Sequence, residues 1–467
     1  MTADIQGQLR RIPSVDAVLG QVSAGPAGGA LRVKVVREAI EAVRGQVREG
    51  KLSADADVAG AAITEAQRRL AEMGEVFYRR VVNAAGIILH TGLGRAPLAR
   101  EAIEQVGREL GGYSLLQVDV EGGKRSSRDG RIEELLTLLT GAEAATVVNN
   151  NAAATALVLN TIAAGKEVIV SRGQLVEIGG SFRLPDVMAF SGAKLVEVGT
   201  TNKTHLRDYE AAITENTAAI LRVHPSNYKI HGFTSDVPLE DLVTLAHARG
   251  LVLFDDAGAG SLVDFSRYGF EKEPTLMESV EAGADVITSS GDKLIGASQA
   301  GIILGRSGII QKVRKNQFAR IVRVDKFTLA ALEATLTLFL DEAAALEKVP
   351  ALRLMLRGAG DIHAQAERIA ATVQAACPAA AVSLRAGFSQ AGSGSLPGQN
   401  LPTTLVAIAS PKLSATALAN RLRHSATPVF TRIGEDRVLI DPRTLLDGDE
   451  AILVEALVET LTGGPGR

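Results

Sequence analysis

The sequence contains very little cysteine and few aromatic residues. Its 467 residues include one cysteine, Cys377, and no tryptophan, and aromatic residues make up 4% of the chain. A single cysteine excludes an internal disulfide framework and a metal site built from a cysteine cluster. The seven histidines are scattered, and we interpret none of them as a metal ligand. Low cysteine usage fits a reducing compartment, so we expect a cytoplasmic protein.

An excess of charge of one sign and long hydrophobic runs are also missing. The 50 basic and 53 acidic residues give a formal net charge of −3, which excludes a globally basic surface. Contact with nucleic acid would therefore require a local patch. No apolar run reaches membrane-spanning length, and the N-terminus lacks a signal-peptide core, so we expect no membrane partner. The length and the 46% hydrophobic content predict a large globular protein of two or three domains.

One lysine stands at the exit of a predicted buried strand. The strand, Ala284 to Thr288, runs into Ser289-Ser-Gly-Asp-Lys293, and a second apolar strand follows at Ala300 to Leu304. A lysine amine in a desolvated pocket has a lowered pKa and readily forms a Schiff base. The serines before it, Ser290 in particular, could hold a phosphate. The combination suggests that Lys293 binds pyridoxal 5'-phosphate (PLP), although a structural lysine reaching the surface is the alternative.

An acidic pair follows an earlier strand, in Leu251-Val-Leu-Phe-Asp-Asp-Ala-Gly. Carboxylates at the carboxyl end of a parallel strand lie where open α/β sheets bind ligands. A PLP enzyme needs an acid opposite the pyridine nitrogen, so that the ring can accept electrons. We choose Asp255, because it directly ends the hydrophobic run, and keep Asp256 as the second choice. A turn or capping aspartate is the alternative.

A third segment joins a strand to an Ala-rich helix through Asn149, Asn150 and Asn151. The free N–H groups at the start of a helix favour a phosphate. Small residues from Ala152 onward would allow close approach, so we predict that Asn150, Asn151 and Ala152 contact the cofactor. Asparagine runs are also ordinary helix caps.

Four regions follow from the hydrophobic pattern. Residues 1–50 form a small N-terminal unit with a basic helix over Leu31 to Val47, and residues 51–80 form a linker and one long helix from Val58 to Arg80. Residues 81–326 alternate strands and crossover helices, which predicts an α/β fold with a mainly parallel sheet covered by helices. Residues 327–467 predict a smaller α+β domain. The strands predicted for the large sheet are Ala145–Val148, Glu167–Val170, Lys194–Val198, Ala219–Val223, Leu251–Phe254, Asp285–Thr288 and Gly301–Leu304.

These motifs and several further segments together resemble one family. The segments are Arg11-Ile-Pro-Ser-Val-Asp-Ala-Val-Leu19, Val82-Asn-Ala-Ala-Gly-Ile-Ile-Leu-His-Thr-Gly-Leu-Gly-Arg-Ala-Pro-Leu98, Gly112-Tyr-Ser-Leu-Leu116, Ser171 to Pro185, Gly199-Thr-Thr-Asn-Lys-Thr204, His224-Pro-Ser-Asn-Tyr228 and Gly394-Ser-Leu-Pro-Gly398. Over nearly the whole chain the sequence resembles the bacterial selenocysteine synthases, the L-seryl-tRNA(Sec) selenium transferases, which are fold-type-I PLP enzymes.

The resemblance implies a reaction and its partners. Seryl-tRNA(Sec) would be converted to selenocysteinyl-tRNA(Sec) with selenophosphate, through an aminoacrylyl intermediate bound to PLP. The N-terminal unit would bind tRNA through its basic face. The resemblance also implies a homodecamer built from dimers, with active sites between subunits.

The resemblance further implies a set of polar site residues. Selenophosphate is a compact anion and needs fixed cations, and two arginines at i and i+3 would share a helix face. The cations that the resemblance indicates are Arg95, Arg128, Arg320 and Arg323. Asp292 would orient Lys293 or relay protons, or it would only cap a turn. For each arginine the alternative is a surface salt bridge.

Two positions are ambiguous. Gln174 stands where the family would have an acid, which puts a proton-handling role in doubt while leaving contact with the cofactor expected. Arg432 would bind a substrate carboxylate in many PLP enzymes, but that carboxylate is esterified in an aminoacyl-tRNA.

Two other functions remain open on the sequence. A PLP-dependent lyase acting on a free amino acid or an amino sugar phosphate would use the same lysine and aspartate, but it would not need the N-terminal unit. A non-catalytic tRNA- or ligand-binding protein on a PLP scaffold would not need Lys293.

Overall fold

The computed structural model describes residues 3–23, 25–180 and 182–463. The chain divides into two compact units, residues 1–80 and residues 81–467. Within the described ranges, no helix is both long and apolar enough to cross a bilayer.

The first unit is a small helical domain. Its helices are α1 (Ala3–Arg10), α2 (Val15–Leu19), α3 (Gly29–Arg48) and α4 (Val58–Glu72). The side chain of Asp57 caps α4 by accepting from the Gly60 N–H at 2.9 Å. Buried valine, isoleucine, alanine and leucine residues of α3 and α4 form one core, so residues 58–72 belong to the same unit as the basic helix.

The prediction for the basic helix is confirmed, and the prediction for the following helix is wrong in its length. Helix α3 contains the predicted Leu31 to Val47. Helix α4 ends at Glu72 rather than at Arg80. Gly74 follows directly, and Phe77 and Tyr78 are exposed, so no apolar stripe holds a longer helix on the core.

In the part of the chain that the structure describes, the second unit contains one seven-stranded sheet and three smaller sheets. Its strands are β1 (Val82–Asn83), β2 (Ala144–Val148), β3 (Glu167–Ser171), β4 (Glu177–Ile178), β5 (Phe182–Arg183), β6 (Lys194–Val198), β7 (Thr217–Val223), β8 (Val252–Asp256), β9 (Val286–Ser290), β10 (Gly301–Gly305), β11 (Ala381–Gly392), β12 (Ser395–Ala409), β13 (Val429–Phe430), β14 (Arg432–Gly434) and β15 (Arg437–Ile440). The large sheet has the order β2-β10-β9-β8-β7-β3-β6. Strand β10 runs in the direction opposite to the other six strands of this sheet.

All seven strands predicted for this sheet are present, which confirms the mainly parallel α/β architecture. Six of them are largely buried because helices cover both faces of the sheet, whereas the edge strand β6 leaves Lys194 and Glu197 exposed. The helices of this unit are α5 (Arg100–Glu109), α6 (Gly130–Thr140), α7 (Asn151–Ala163), α8 (Leu184–Ser191), α9 (Leu206–Ala212), α10 (Leu239–Ala248), α11 (Leu276–Glu281), α12 (Ser307–Lys315), α13 (Gln317–Ile321), α14 (Lys326–Leu338), α15 (Glu342–Lys348), α16 (Pro350–Leu356), α17 (Ala359–Ala376), α18 (Ala415–Arg423) and α19 (Asp449–Thr462).

The C-terminal layer is a four-stranded antiparallel sheet with the order β11-β12-β15-β14. Helices α17, α18 and α19 and this sheet share a core, as an α+β arrangement requires. The sequence predicts one strand in this hairpin, Leu405–Ala409, and the β11–β12 hairpin extends well beyond it. Glycines and prolines such as Gly387, Gly394 and Pro402 interrupt the alternation of apolar and polar residues in this hairpin. The alternation that would predict two long strands is therefore absent from the sequence.

Gly86 ties the start of the second unit to this layer. Its φ is +71°, and a Cβ there would lie 1.9 Å from Asp441 Oδ2. Its carbonyl accepts from the Gln390 N–H at 2.8 Å. Its N–H donates to Thr444 Oγ1 at 3.1 Å. The segment that continues to Arg95 is therefore anchored on the C-terminal layer.

We expect Gly86→Ala to destabilise the protein by about 2 to 4 kcal/mol, because it combines left-handed strain with overpacking against Asp441. The measurement is the free energy of unfolding in denaturant. Gly107→Ala is the matched control: it lies in α5 with open space around its Cα, so alanine there should be neutral or slightly stabilising. Equal effects of the two substitutions would contradict this account.

Candidate active site

A cavity of about 240 Å³ opens at the carboxyl edge of the large sheet. Parallel strands end at the same edge, so residues far apart in sequence meet there. The cavity is lined by Lys293, Asp256, Ser290, Asn150, Asn151 and Ala152, among others. Val176, Phe182 and Leu184 supply an apolar side. The structure therefore brings these predicted residues together at one edge of the sheet.

Lys293 follows β9 and is buried, with 6% of its surface exposed. Burial lowers the pKa of its amine, and the nearby Arg95 guanidinium lowers it further. Asp292 and Asp256 oppose that shift. A lysine with a lowered pKa has more of its amine neutral, which is the form that attacks a carbonyl carbon.

Asp256, rather than Asp255, faces this cavity. Its carboxylate accepts from Asn151 Nδ2 at 2.9 Å and from Thr155 Oγ1 at 3.0 Å. The Gly258 N–H donates to it at 3.1 Å. Burial raises the pKa of Asp256, and these hydrogen bonds oppose the rise. A protonated ring nitrogen beside this carboxylate would offset the cost of burying its charge.

Asp255 lies on the opposite face of the same strand, because successive strand residues alternate. It is fully buried, accepts from Arg222 Nη1 at 2.8 Å and from Ser279 Oγ at 2.7 Å, and lies outside the lining of the cavity. The choice of Asp255 over Asp256 is therefore corrected: Asp255 serves a buried ion pair, and Asp256 is the carboxylate that a ligand would meet.

The start of α7 forms another wall of the cavity. Asn150 caps the helix by accepting from the Ala153 N–H at 2.9 Å. Asn151 Oδ1 is buried and lacks a hydrogen-bond partner among the described residues. A Cβ at Gly301 would lie 2.1 Å from the Asn150 carbonyl oxygen, so β10 packs closely under this turn. An anion at this 13-residue helix would meet free N–H groups.

Arg95 and Asp292 form an ion pair beside the lysine. Arg95 Nη1 lies 2.9 Å from Asp292 Oδ2. Arg95 lines the cavity and has a φ of +64°, which is uncommon for a residue other than glycine. The structure thus brings both of these predicted residues to Lys293.

The other three arginines lie elsewhere within this single chain. Arg128 donates to the Val324 carbonyl at 3.0 Å, and burial together with Arg323 lowers its pKa. Arg320 is exposed at the end of α13. Helix α13 ends at Ile321, so the expectation that Arg320 and Arg323 share a helix face is wrong.

Two further predicted residues also lie away from the lining. Gln174 Oε1 accepts from the Val223 N–H at 3.0 Å, and Gln174 borders a second cavity instead. Arg432 donates to Asp441 Oδ2 at 3.0 Å and to the Phe388 carbonyl at 3.1 Å, so it stabilises the C-terminal sheet.

Sequence reasoning assigned no role to His224 and Ser226. Both residues line the cavity just after β7. The rule that nominated the aspartates, a polar residue directly after a predicted strand, would also have nominated His224.

The comparisons with known proteins agree with this geometry. The family model described as L-seryl-tRNA selenium transferase matches residues 81–446. An L-seryl-tRNA(Sec) selenium transferase of Clostridium botulinum (strain Okra / Type B1) is 45% identical over 458 residues, covering 97% of this chain and 98% of the relative. One of Nitratidesulfovibrio vulgaris is 46% identical over 462 residues, with the same coverage of both chains.

A solved structure shows the same fold. D-glucosaminate-6-phosphate ammonia-lyase aligns with a TM-score of 0.57 and 23% identity, covering 84% of this chain and 98% of that chain. This likeness confirms the fold-type-I architecture. The match to the family model and the nearly full-length relatives establish more: the chain belongs to the L-seryl-tRNA selenium transferase family.

Proposed function

We propose that this protein converts L-seryl-tRNA(Sec) to L-selenocysteinyl-tRNA(Sec), with selenophosphate as selenium donor and PLP as cofactor. The observation that carries the proposal is the buried, low-pKa Lys293 in one cavity with Asp256, in a chain whose relatives of that name align over 97% of its length. We place the protein in the cytoplasm.

The cavity offers the groups that PLP requires. Lys293 would bond covalently to the cofactor, and the α7 N-terminus, with Asn150, Asn151, Ala152 and Ser290, would hold its phosphate. Asp256 would keep a proton on the ring nitrogen. When bound, PLP supplies an electron sink for the carbanion formed at the seryl α-carbon.

The remaining chemistry falls to the protein's own side chains. Lys293 would take the α-proton, because burial lowers the pKa of its amine and so favours the neutral, basic form. Asp292 orients the lysine region through its ion pair with Arg95. Arg95 is the cation placed to receive an anion in the cavity.

We infer a homodecamer built from dimers, in which the other arginines act. Tyr113, Leu115, Val118 and Val120 are large apolar residues that are exposed in the single chain. Arg128 borders the same segment. A subunit packed there would bury these residues next to Arg128, which supports a role for Arg128 at a selenophosphate site between subunits. Arg323 lies near enough to lower the pKa of Arg128, and we propose that Arg323 and Arg320 act at the same site.

The proposed function is tested with purified protein, PLP, selenophosphate and either seryl-tRNA(Sec) or free serine. We expect only the tRNA-bound serine to be converted. Lys293→Ala should abolish the visible absorbance of bound PLP and lower turnover by about 10²- to 10⁴-fold. Lys315→Ala, an exposed lysine of α12, is the control and should change neither.

Two results would contradict this proposal. Turnover of free serine with tRNA ignored would instead support a lyase for small substrates. Unchanged turnover by Lys293→Ala without bound PLP would remove the lysine from the mechanism.

A second prediction separates the two aspartates. Asp256→Asn should lower turnover by about 10²-fold or more, because the ring nitrogen loses its acid. Asp255→Asn should leave turnover within about threefold and should destabilise the fold by about 3 kcal/mol, because it leaves Arg222 without its charged partner. Turnover and denaturant unfolding are measured on both variants. The opposite pattern would return the cofactor role to Asp255.

A third prediction concerns tRNA binding by the first unit. Arg37 and Arg48 on α3 are exposed and form no ion pair within the described ranges. Arg32, in contrast, donates to the Leu19 and Val22 carbonyls and is structural. Arg37→Ala with Arg48→Ala should weaken tRNA binding and flatten its salt dependence, since each phosphate contact releases counterions.

Arg68→Ala is the control for this pair, because Arg68 already pairs with Glu65 and Glu72. Binding is measured as Kd against salt concentration. An equal loss in the control and in the α3 variant would argue against a specific basic face.

A further inference from the structure

His224 separates two cavities of the second unit. The active-site cavity lies on one side of it. A second cavity of about 270 Å³ lies on the other side and is bordered by residues such as Asn202, Lys203, Tyr228 and Glu273. Among the described residues, only His224 lines both. Its position therefore affects the wall of the active site and the space behind it.

The backbone of His224 is fixed to the strand that carries Asp256. The His224 N–H donates to the Asp256 carbonyl at 2.9 Å, and the Ser226 N–H donates to the His224 carbonyl at 2.8 Å. Its imidazole is free to turn about the side-chain bonds unless another group holds it. Glu273 is in position to do so, because Glu273 Oε2 lies 3.2 Å from His224 Nε2.

Both partners are largely shielded from water. The side chain of His224 is 16% exposed, and that of Glu273 is 19% exposed. Burial and the Arg222 guanidinium lower the pKa of His224 to about 4, against the pull of Asp255. Burial also raises the pKa of Glu273, and Glu271 adds to that rise while Lys229 opposes it. The imidazole is therefore neutral at neutral pH.

A neutral imidazole has one N–H and one lone pair, and the partner of one nitrogen fixes what the other nitrogen offers. Nε2 is the nitrogen that lies 3.2 Å from Glu273, so Nδ1 is the nitrogen available to the active-site cavity. The titratable groups around His224 and Glu273 are Arg222, Asp255, Asp256, Lys293, Lys229 and Glu271.

We propose that Glu273 is a positioning residue that holds the His224 imidazole against the active-site cavity and so sets the hydrogen bond that His224 makes to the cofactor. The inference deepens the proposed function and rests on it for the spectroscopic part of its test. Glu273 touches neither cofactor nor substrate and acts only through His224.

The first test is a double-mutant cycle read by absorbance. Wild type, Glu273→Ala, His224→Asn and the double variant are loaded with PLP, and the absorbance of the bound cofactor is titrated with pH in the absence of tRNA. Glu273→Ala should move the titration midpoint by about one pH unit, equivalent to a tenfold change in the proton equilibrium. It should cause no further shift when His224 is already asparagine. A shift that is absent, or equal in both backgrounds, overturns the proposal.

The second test needs no cofactor, so it separates this inference from the proposed function. His224 is modified with diethylpyrocarbonate in PLP-free protein, and the modified peptide is quantified by mass spectrometry. Glu273→Ala should raise the modification rate of His224 by about tenfold, because the ring is released into the second cavity. An unchanged rate overturns the positioning role even if the enzyme makes selenocysteinyl-tRNA.

Glu271→Ala is the matched control for both tests. Glu271 borders the same cavity and forms an ion pair with Lys229. Its substitution therefore removes one carboxylate from the cavity while the contact between Glu273 and His224 stays in place. It should change neither the midpoint nor the modification rate. Where Glu273→Ala is insoluble, Glu273→Asp takes its place, because retracting the carboxylate by one methylene group should give the same dependence on His224.

Discussion

The burial of one amine, that of Lys293, is the constraint on which the rest of the site depends. A charged ammonium in this position is costly, so the neutral amine is favoured and the pKa falls. The cost is limited by Asp292 and Asp256, which keep the lysine from becoming an isolated buried cation. The sheet makes this arrangement possible, because β8 and β9 are adjacent and parallel and deliver Asp256 and Lys293 to the same edge.

The sheet was predictable from sequence because six of its strands are largely buried, and even the edge strand β6 keeps the apolar residues Leu195, Val196 and Val198. The edge that carries the site was also predictable, since polar residues directly follow the predicted strands Ala145–Val148, Leu251–Phe254 and Asp285–Thr288. The face of the strand on which each aspartate lies was not predictable. Asp255 and Asp256 are consecutive and therefore point to opposite faces of the sheet, and the sequence does not say which face packs against α7. In the structure it is Asp256 that accepts hydrogen bonds from Asn151 and Thr155 of α7.

The arginines show a second limit of pattern reading. Spacing of i and i+3 predicts a shared face only where a helix covers both positions, and α13 ends between Arg320 and Arg323. Asn316 caps this short helix, and the chain then turns toward α14. The position of a loop residue depends on the path of the chain. For a residue such as Arg128, which lies beside exposed apolar side chains, it also depends on what packs against that surface.

Arg95, a cation that lowers the pKa of the Lys293 amine, is positioned by contacts with residues remote from it in sequence. Arg95 has left-handed backbone geometry, which costs about 1 to 2 kcal/mol for a residue with a Cβ and persists only where the surroundings impose it. The surroundings here include the segment from Gly86, whose neighbours Ile88 and Leu89 donate backbone N–H groups to Gln390 and Ala391 of the C-terminal hairpin. Because Arg95 lowers the pKa of Lys293, the C-terminal layer contributes to the reactivity of an amine that it does not touch. This coupling gives the hairpin a role in the active site beyond that of a covering layer.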